Sequence, residues 1–236
     1  MDPAILLKNS EPFLKYVTAW EAALPTPDLA SLTADPKRLA MISVDVINGF
    51  CHRGPLASPR VKGIIAPIVR VFERAHAAGV RHFILTQDTH EADAVEFGQY
   101  PPHCVRGTEE SDAVPEFKAL PFYKEMLTFP KNSIHSALNT GLEDWLKEHP
   151  EVNTFIVVGD CTDLCTYQLA MFLRLRANAH QLRQRVILPV DCVDTYDLPV
   201  ETAKQIGAPP HDGDLLHLVF LYSMMLNGVE VVRSLN

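Results

Sequence analysis

Apolar and polar positions along the chain follow two different periods. Apolar residues recur at helical spacing in four segments, 60–79, 141–150, 162–180 and 211–228. Short apolar runs rich in β-branched residues, typical of strands buried on both faces, lie at 39–47, 80–88, 153–160, 184–191 and 229–235. Gly79 closes the first helical segment, as expected at a helix end.

This alternation predicts an α/β fold. Repeated βαβ units with right-handed crossovers give a doubly wound, mainly parallel sheet with helices on both of its faces. We expect residues 40–236 to form this domain. Residues 1–39 combine helical spacing with a turn-rich stretch, so we expect one or two helices in an N-terminal arm, packed on the domain or at an interface. Between His90 and about Pro121 we expect an irregular loop.

Composition excludes several classes of protein. The chain is 47% hydrophobic and 21% charged, and it contains no apolar run long enough to span a membrane. A net charge of −8 without a basic stripe argues against nucleic acid and acidic membrane surfaces as partners. Five cysteines without small-domain spacing, and no secretory signal pattern, favour reduced thiols in the cytoplasm.

Polar residues end three of the predicted strands. Asp45 ends the first, Gln87 and Asp88 end the second, and the segment 160–165 follows the central one. Ligands of open parallel sheets bind at the carboxyl ends of the strands. The sequence therefore predicts a site formed by these three clusters.

Cys165 is the candidate nucleophile of this site. With Thr162 as N-cap, Cys165 would lie in the first turn of a helix, where free N–H groups and the helix dipole stabilise a thiolate and an oxyanion. The alternative is a small apolar residue at a packing contact. Cys161 is expected to shape the turn, since C-x-x-x-C is not the C-x-x-C redox motif.

Asp45 and Lys131 are candidates to assist that cysteine. A carboxylate at the end of an apolar strand is costly without a partner or task, and Asp45 could take the thiol proton and return it to a leaving group. A buried Lys131 ammonium would lower the pKa of both groups. The alternatives are a turn aspartate and a solvated surface lysine.

A second cluster has the composition of a metal site. Two carboxylates and two imidazoles suit Zn²⁺, Mn²⁺ or Fe²⁺, and they are supplied by Asp88, His90, Glu96 and His103. The alternative is a loop with scattered polar residues, since D-x-H occurs by chance. The other histidines considered are expected to be surface or packing residues, namely His52, His135, His180 and His211.

Five motifs together resemble a known family. "VDVINGFC", "TQDTHEADAVEF", "YPPHCVRGT", "FPKNS" and "VVGDCTDLC" occur in the order and approximate spacing of the isochorismatase-like cysteine hydrolases, over roughly residues 38–195. The T-D-x-C element is shared across that superfamily. The D-x-H with the downstream P-P-H-C-V-x-G-T most resembles the metal loop of nicotinamidases.

The resemblance implies roles for particular residues. Asp45, Lys131 and Cys165 would form a catalytic triad, and the backbone N–H groups of Cys161 and Cys165 would form an oxyanion hole after a cis peptide at Asp160–Cys161. The metal ligands would be Asp88, His90, Glu96 and His103, with Zn²⁺ expected first and Mn²⁺ or Fe²⁺ as alternatives. Glu96 stands where many relatives have histidine and some have glutamate.

The resemblance also indicates how the pocket departs from its relatives. Phe50 matches an aromatic residue that lies against the substrate ring, and Tyr100 replaces a usual tryptophan. Ile47 replaces a common glutamine near the site. These departures leave the chemistry intact and concern the substrate.

The expected activity is therefore a metal-assisted cysteine amidohydrolase that converts nicotinamide to nicotinate and ammonia through a thioester. Three alternatives remain: the same triad acting on another small amide or carbamoyl compound, a metallohydrolase whose bound water attacks, and a non-catalytic member of the family. Relatives are often dimers or tetramers, so we also expect a homo-oligomer, for which the arm 1–39 is a candidate interface or a lid.

Overall fold

The centre of the protein is a six-stranded sheet, and all its strand pairs are parallel. The computed structural model describes residues 2–236, so the first residue of the predicted arm lies outside it. The sheet order is β3-β2-β1-β4-β5-β6. The strands are β1 (Leu39–Val44), β2 (His82–Asp88), β3 (Leu127–Lys131), β4 (Thr154–Gly159), β5 (Arg185–Pro189) and β6 (Glu230–Val232). The predicted fold class is confirmed.

Helices lie on both faces of this sheet. The α-helices are α1 (Pro3–Ala22), α2 (Leu29–Leu32), α3 (Asn48–Cys51), α4 (Pro59–Gly63), α5 (Ile65–Ala77), α6 (Pro115–Lys118), α7 (Leu142–Glu148), α8 (Cys165–Ala179), α9 (Val200–Ile206) and α10 (Gly213–Leu226). Short 3₁₀ helices cover Pro36–Arg38, Val95–Gly98, Glu109–Ser111, Tyr123–Glu125 and Val190–Cys192. None of the helices formed by residues 2–236 is long and apolar enough to cross a membrane.

The apolar runs form strands because both of their faces are covered. Successive side chains of a strand point to opposite faces of the sheet. Met41 and Ile156 therefore join one apolar layer with α5, whereas Ile42 and Val157 join the other layer with α7, α8 and α10. Every residue of β1 and β4 is buried, as the continuous apolar runs predicted.

The strand order creates a crevice at the middle of the sheet. From β1 the chain proceeds outwards to β2 and β3, and it then returns to place β4 on the other side of β1. Connections leaving β1 and β4 therefore diverge at their carboxyl ends, which is where open α/β sheets bind their ligands.

The first segment of the chain packs on α10 through aromatic rings. Tyr222 of α10 makes edge-to-face contacts with Phe13, Tyr16 and Trp20 of α1, at centroid separations of 5.6, 6.0 and 5.2 Å. Val17 is the residue of α1 that becomes buried. The division into an arm and a domain stays a prediction.

Several elements differ from those predicted. The short helices α3 and α6 were not predicted, and α6 lies within the loop that we expected to be irregular. The segment 60–79 was predicted as one helix but forms two, α4 and α5, which are separated by Ile64. Gly79 follows the end of α5 with φ of +99°, as expected at a helix end. Strand β3 was not predicted, because its residues are mostly exposed and include Pro130, features of an edge strand. Helix α9 was missed because it is short and largely exposed, and therefore lacks an apolar face.

Gly159 is required where β4 ends beside β1. It has φ of +114°, and a side chain there would overlap the backbone of Val44. We predict that Gly159→Ala lowers the free energy of unfolding by about 2 kcal/mol or more. Gly63→Ala is the matched control, because a Cβ there meets open space, and we expect a change within about 1 kcal/mol. Urea denaturation followed by circular dichroism measures both. Equal stability losses would contradict the close approach of β4 to β1.

Candidate active site

Four candidate side chains meet at the carboxyl ends of three strands and the start of one helix. Asp45 follows β1 directly, and its φ of +53° turns the chain away from the sheet. Asp88 and Lys131 are the last residues of β2 and β3, where they pair in register. Cys165 is the first residue of α8, shortly after β4. Each element supplies one group, and the sheet order brings them together.

Lys131 lies at the centre of this group. Its Nζ is 2.8 Å from Asp45 Oδ2, 2.5 Å from Asp88 Oδ1 and 3.6 Å from Cys165 Sγ. It also donates to the carbonyl of Ser133. The lysine side chain is fully buried, so the alternative of a solvated surface lysine is wrong. A cation already occupies the space between these three groups, and so they are not a metal site.

Burial sets the proton affinities of the group. Burial, reinforced by the charge of Asp88 and opposed by Lys131, raises the pKa of Asp45 to about 7. Burial also raises the pKa of Cys165 well above its usual range, although Lys131 acts to lower it. Lys131 thus acts in the expected direction on both groups, but desolvation outweighs it. Thiol and carboxylate are consequently suited to exchange a proton during a reaction.

The turn before Cys165 includes the free N–H groups of Cys161 and Cys165. The Asp160–Cys161 peptide is cis, as the family resemblance implied. Among residues 2–236, the turn's hydrogen bonds use the N–H groups of Thr162, Leu164 and Thr166 and leave those of Cys161 and Cys165 unused. Free N–H groups at a helix start can receive an oxyanion.

Thr162 is not the N-cap that the sequence predicted. The N-cap of α8 is Leu164, which provides no capping side chain. The Thr162 hydroxyl instead lies 2.8 Å from Nδ1 of His217, in α10. The Thr162 side chain does not cap the helix because it hydrogen-bonds to His217, 55 residues further along the chain. Local sequence spacing cannot reveal such a contact. Cys165 nevertheless occupies the first turn, as predicted.

Beside the triad lies a set of groups that could hold a metal ion. Ligand atoms of Asp88, His90 and His103 all lie within 4.8 Å of one another. His90 Nε2 is 3.5 Å from Asp88 Oδ1, and His103 Nε2 is 3.9 Å from Asp88 Oδ2. Two ligands of a tetrahedral Zn²⁺, each about 2.1 Å from the metal, lie about 3.4 Å apart. The spacing therefore fits a metal after small adjustments.

Hydrogen bonds orient both imidazoles towards this point. His90 Nδ1 lies 3.1 Å from Asn132 Oδ1, and His103 Nδ1 lies 2.8 Å from the carbonyl of Pro101. An oxygen partner at Nδ1 leaves Nε2 as the atom with a free lone pair. His90 Nε2 is buried without a hydrogen-bond partner in the described chain, which is costly unless a ligand uses it. Asn132 was missed by the sequence analysis, although it directly follows Lys131.

Glu96 lies at the edge of the metal group. It belongs to the 3₁₀ helix Val95–Gly98, and its Oε1 is 4.0 Å from His90 Nε2. The compact three-residue set does not include it. A small movement of the Glu96 side chain would bring it within reach of a metal held by the other three residues. The role of Glu96 as a fourth ligand stays a prediction.

One cavity of about 550 Å³ is lined by Asp45 and Cys165 of the triad and by Asp88, Glu96 and His103 of the metal group. Phe50 and Tyr100, the predicted pocket aromatics, both line it. Their ring centroids lie 5.6 and 6.1 Å from that of His103, so both flank the metal group. Ile47 is fully buried in the apolar layer with α5 and does not line the cavity.

His211 has a partner that the sequence analysis missed. Its Nε2 lies 2.8 Å from Asp163 Oδ2, and Thr195 donates to Asp163 Oδ1 at 2.6 Å. Asp163 lies two residues before Cys165, so the prediction that His211 is an isolated surface or packing residue is wrong. The contact spans 48 residues, and therefore leaves no local signal in the sequence.

The other three histidines behave as predicted. His52 Nε2 lies 3.2 Å from Glu116 Oε2, and this pair is not part of the triad. His135 accepts backbone N–H groups through Nδ1. His180 is exposed at the end of α8.

We predict that His211→Ala lowers the free energy of unfolding by about 1.5–3 kcal/mol, because the buried Asp163 carboxylate loses a hydrogen bond. His180→Ala is the control, since His180 is exposed. Urea denaturation at pH 7 compares them. Equal unfolding midpoints for the two variants would show that the contact with Asp163 contributes nothing.

Comparison with solved structures agrees with this architecture. A cysteine hydrolase from Pseudomonas syringae superposes with a TM-score of 0.67 at 22% identity, covering 84% of this chain and 89% of that one. The pyrazinamidase of Pyrococcus horikoshii, determined in complex with zinc, superposes with a TM-score of 0.62 at 21% identity, over 83% and 99% of the two chains. At these identities the likeness shows the fold.

Comparison of sequences gives the family. Nicotinamidase 1 of Arabidopsis thaliana is 32% identical over an alignment of 218 residues, which covers 84% of this chain and 86% of that protein. The model of the isochorismatase domain matches residues 39–207, from the first residue of β1 to the residue directly after α9. The fold, the placement of the cysteine and both matches lead to one conclusion: the chain belongs to the isochorismatase family of hydrolases.

Proposed function

We propose that this protein is a cysteine amidohydrolase that converts nicotinamide to nicotinate and ammonia. The observation that carries the proposal is the contact of the buried Lys131 with both Asp45 and Cys165, next to a cluster of metal-binding side chains. The curated relatives named as nicotinamidases, in Arabidopsis thaliana and Escherichia coli among others, support the choice of substrate.

The first half-reaction acylates the cysteine. Asp45 accepts the thiol proton as Cys165 Sγ attacks the carboxamide carbon, and the resulting oxyanion is received by the free N–H groups of Cys161 and Cys165. The tetrahedral species collapses with cleavage of the C–N bond. Asp45 returns its proton to the leaving nitrogen, which departs as ammonia and leaves a thioester on Cys165. A carboxyl group with a pKa of about 7 is suited to both transfers.

The second half-reaction releases the acid. Asp45 takes a proton from a water molecule, whose oxygen attacks the thioester carbon. The C–S bond then breaks, and Asp45 returns that proton to the sulfur, which restores the thiol. The product leaves as nicotinic acid and loses its carboxyl proton to solvent to give nicotinate. Throughout, Lys131 keeps its positive charge beside both groups and stabilises the carboxylate and the developing thiolate.

Asp88, His90 and His103 would hold a divalent metal, with Glu96 as a further ligand. Nitrogen and oxygen donors of this kind suit Zn²⁺, with Mn²⁺ or Fe²⁺ as alternatives. When bound, the metal supplies a Lewis-acidic position for a heteroaromatic nitrogen. Phe50 and Tyr100 flank that position and would hold the aromatic ring by stacking.

The cytoplasmic location and the homo-oligomer expected from the sequence stay predictions.

We predict that Cys165→Ala lowers kcat for nicotinamide by about 10⁴-fold or more, since the nucleophile is lost. Ammonia release by purified protein measures it. Cys192→Ala is the matched control, because Cys192 is buried in the apolar layer with α5 and does not line the cavity. Substantial turnover by Cys165→Ala that is abolished by a chelator would instead support attack by a metal-bound water.

We predict a graded loss of Zn²⁺ affinity at the metal group. Removing an outer hydrogen-bond partner of a ligand costs about 10–100-fold in affinity, so Asn132→Ala should fall in that range and His90→Ala should lose more. His52→Ala should bind as the unmodified protein does, because its partner is Glu116. Competition with a chromophoric chelator measures all three. Equal affinities would rule out this group as the metal site.

A further inference from the structure

A short segment forms a cap over the cavity. The cap, residues 198–211, carries α9, and its two ends are bridged by hydrogen bonds. Leu198 donates to the carbonyl of His211 at 2.8 Å, and His211 donates back at 2.9 Å. The His211 side chain then fixes this base to Asp163, beside the nucleophile. The cap is therefore held at a defined place relative to Cys165.

The cavity changes character from its bottom to its mouth. At the bottom lie the buried polar groups of Asp45, Asp88 and His103, together with Cys165. At the mouth most lining side chains are apolar and partly or fully exposed. The cap supplies Leu198, Ile206, Ala208 and Pro209, and the loop before α4 with the first residue of α4 supplies Pro55, Leu56, Ala57 and Pro59. These two stretches are the apolar walls of the cavity mouth. The exposed polar residues Gln99 and Asp197 also line the cavity.

A carboxamide on one six-membered ring does not use this mouth. Its amide must lie at Cys165 and its ring nitrogen at the metal group, both at the bottom. A cavity of about 550 Å³ lies within the roughly 300–1,000 Å³ range of sites for drug-sized ligands, which are considerably larger. The space that such a substrate leaves empty is bordered by apolar side chains, and covering an apolar group there would remove apolar surface from water, which is favourable.

The geometry of a pyridine-3-carboxamide indicates where such a group would be attached. Carbon 5 of the ring is meta to both the carboxamide and the ring nitrogen. With those two groups held at the bottom of the cavity, a substituent at carbon 5 points away from both, which is the direction of the mouth.

We infer that the preferred substrates are pyridine-3-carboxamides with an apolar substituent at ring carbon 5, selected by the apolar walls of the cap and the loop before α4. This inference rests on the proposed amidase function and extends it to a substrate class. Ile206 is the cap residue best suited to test it, because it lines the mouth and is 65% exposed, so its replacement does not disturb the core.

The experiment compares kcat/KM for nicotinamide, 5-methylnicotinamide and 5-propylnicotinamide. One added methylene in an apolar pocket is worth roughly 10-fold or more, so 5-propylnicotinamide should exceed nicotinamide by at least that factor. Ile206→Asp places a charge on the apolar wall and should lower the ratio of the two kcat/KM values by about 10-fold.

Val200→Asp is the matched control for that variant. Val200 is also an exposed aliphatic residue of α9, at 53% exposure, but it does not line the cavity. Val200→Asp places the same charge on the same helix but outside the cavity. The ratio of its kcat/KM values for 5-propylnicotinamide and nicotinamide should therefore equal that of the unmodified protein.

Each outcome separates the inference from the proposed function. Turnover of nicotinamide at least as efficient as that of the 5-propyl compound overturns the inference and leaves the amidase function standing. A ratio unchanged by Ile206→Asp overturns the role of the cap. Failure to release ammonia from any of the three amides overturns the amidase function, and the inference with it.

Discussion

The buried ammonium of Lys131 is the constraint on which the rest of the site depends. A charge without solvent is tolerated only beside opposite charges, and Lys131 finds them in Asp45 and Asp88. The pairing fixes the ends of β1, β2 and β3 against one another. It also explains how β3, an edge strand with mostly exposed residues, is held in register, because its last side chain is its one buried residue. The catalytic geometry and this edge of the sheet are therefore stabilised by the same contacts.

Asp88 connects the nucleophile to the metal group. Its Oδ1 lies 2.5 Å from Lys131 Nζ and 3.5 Å from His90 Nε2, and its Oδ2 faces His103. One carboxylate thus neutralises the ammonium and is also placed to serve as a ligand of the proposed metal. Any change of charge in the metal group would therefore act on Lys131, and through Lys131 on Cys165 at 3.6 Å. The two halves of the site form one electrostatic unit.

Much of the fold could be predicted from the sequence, because a strand that is buried on both faces has a continuous apolar run. The five strands that have such a run were predicted, and the carboxyl-end rule placed Asp45, Asp88 and Cys165 near one another. Strand β3 and helix α9 were missed because neither presents a buried face along its length. The contact of His211 with Asp163 was missed for another reason. It joins residues 48 positions apart, and a partner at that distance has no local pattern.

The site divides into a rigid bottom and a wall made of loops. The reacting groups come from the ends of strands and the start of α8, where backbone pairing leaves little freedom. The cap and the loop before α4 carry no group of the triad, yet they provide apolar residues at the mouth. Substitutions in those loops can therefore change which amide fits without changing how it is cleaved. The Asp163 carboxylate connects the two parts, since it lies in the nucleophile turn and holds His211 at the base of the cap. The apolar walls that select the substrate are consequently held at a fixed position relative to Cys165.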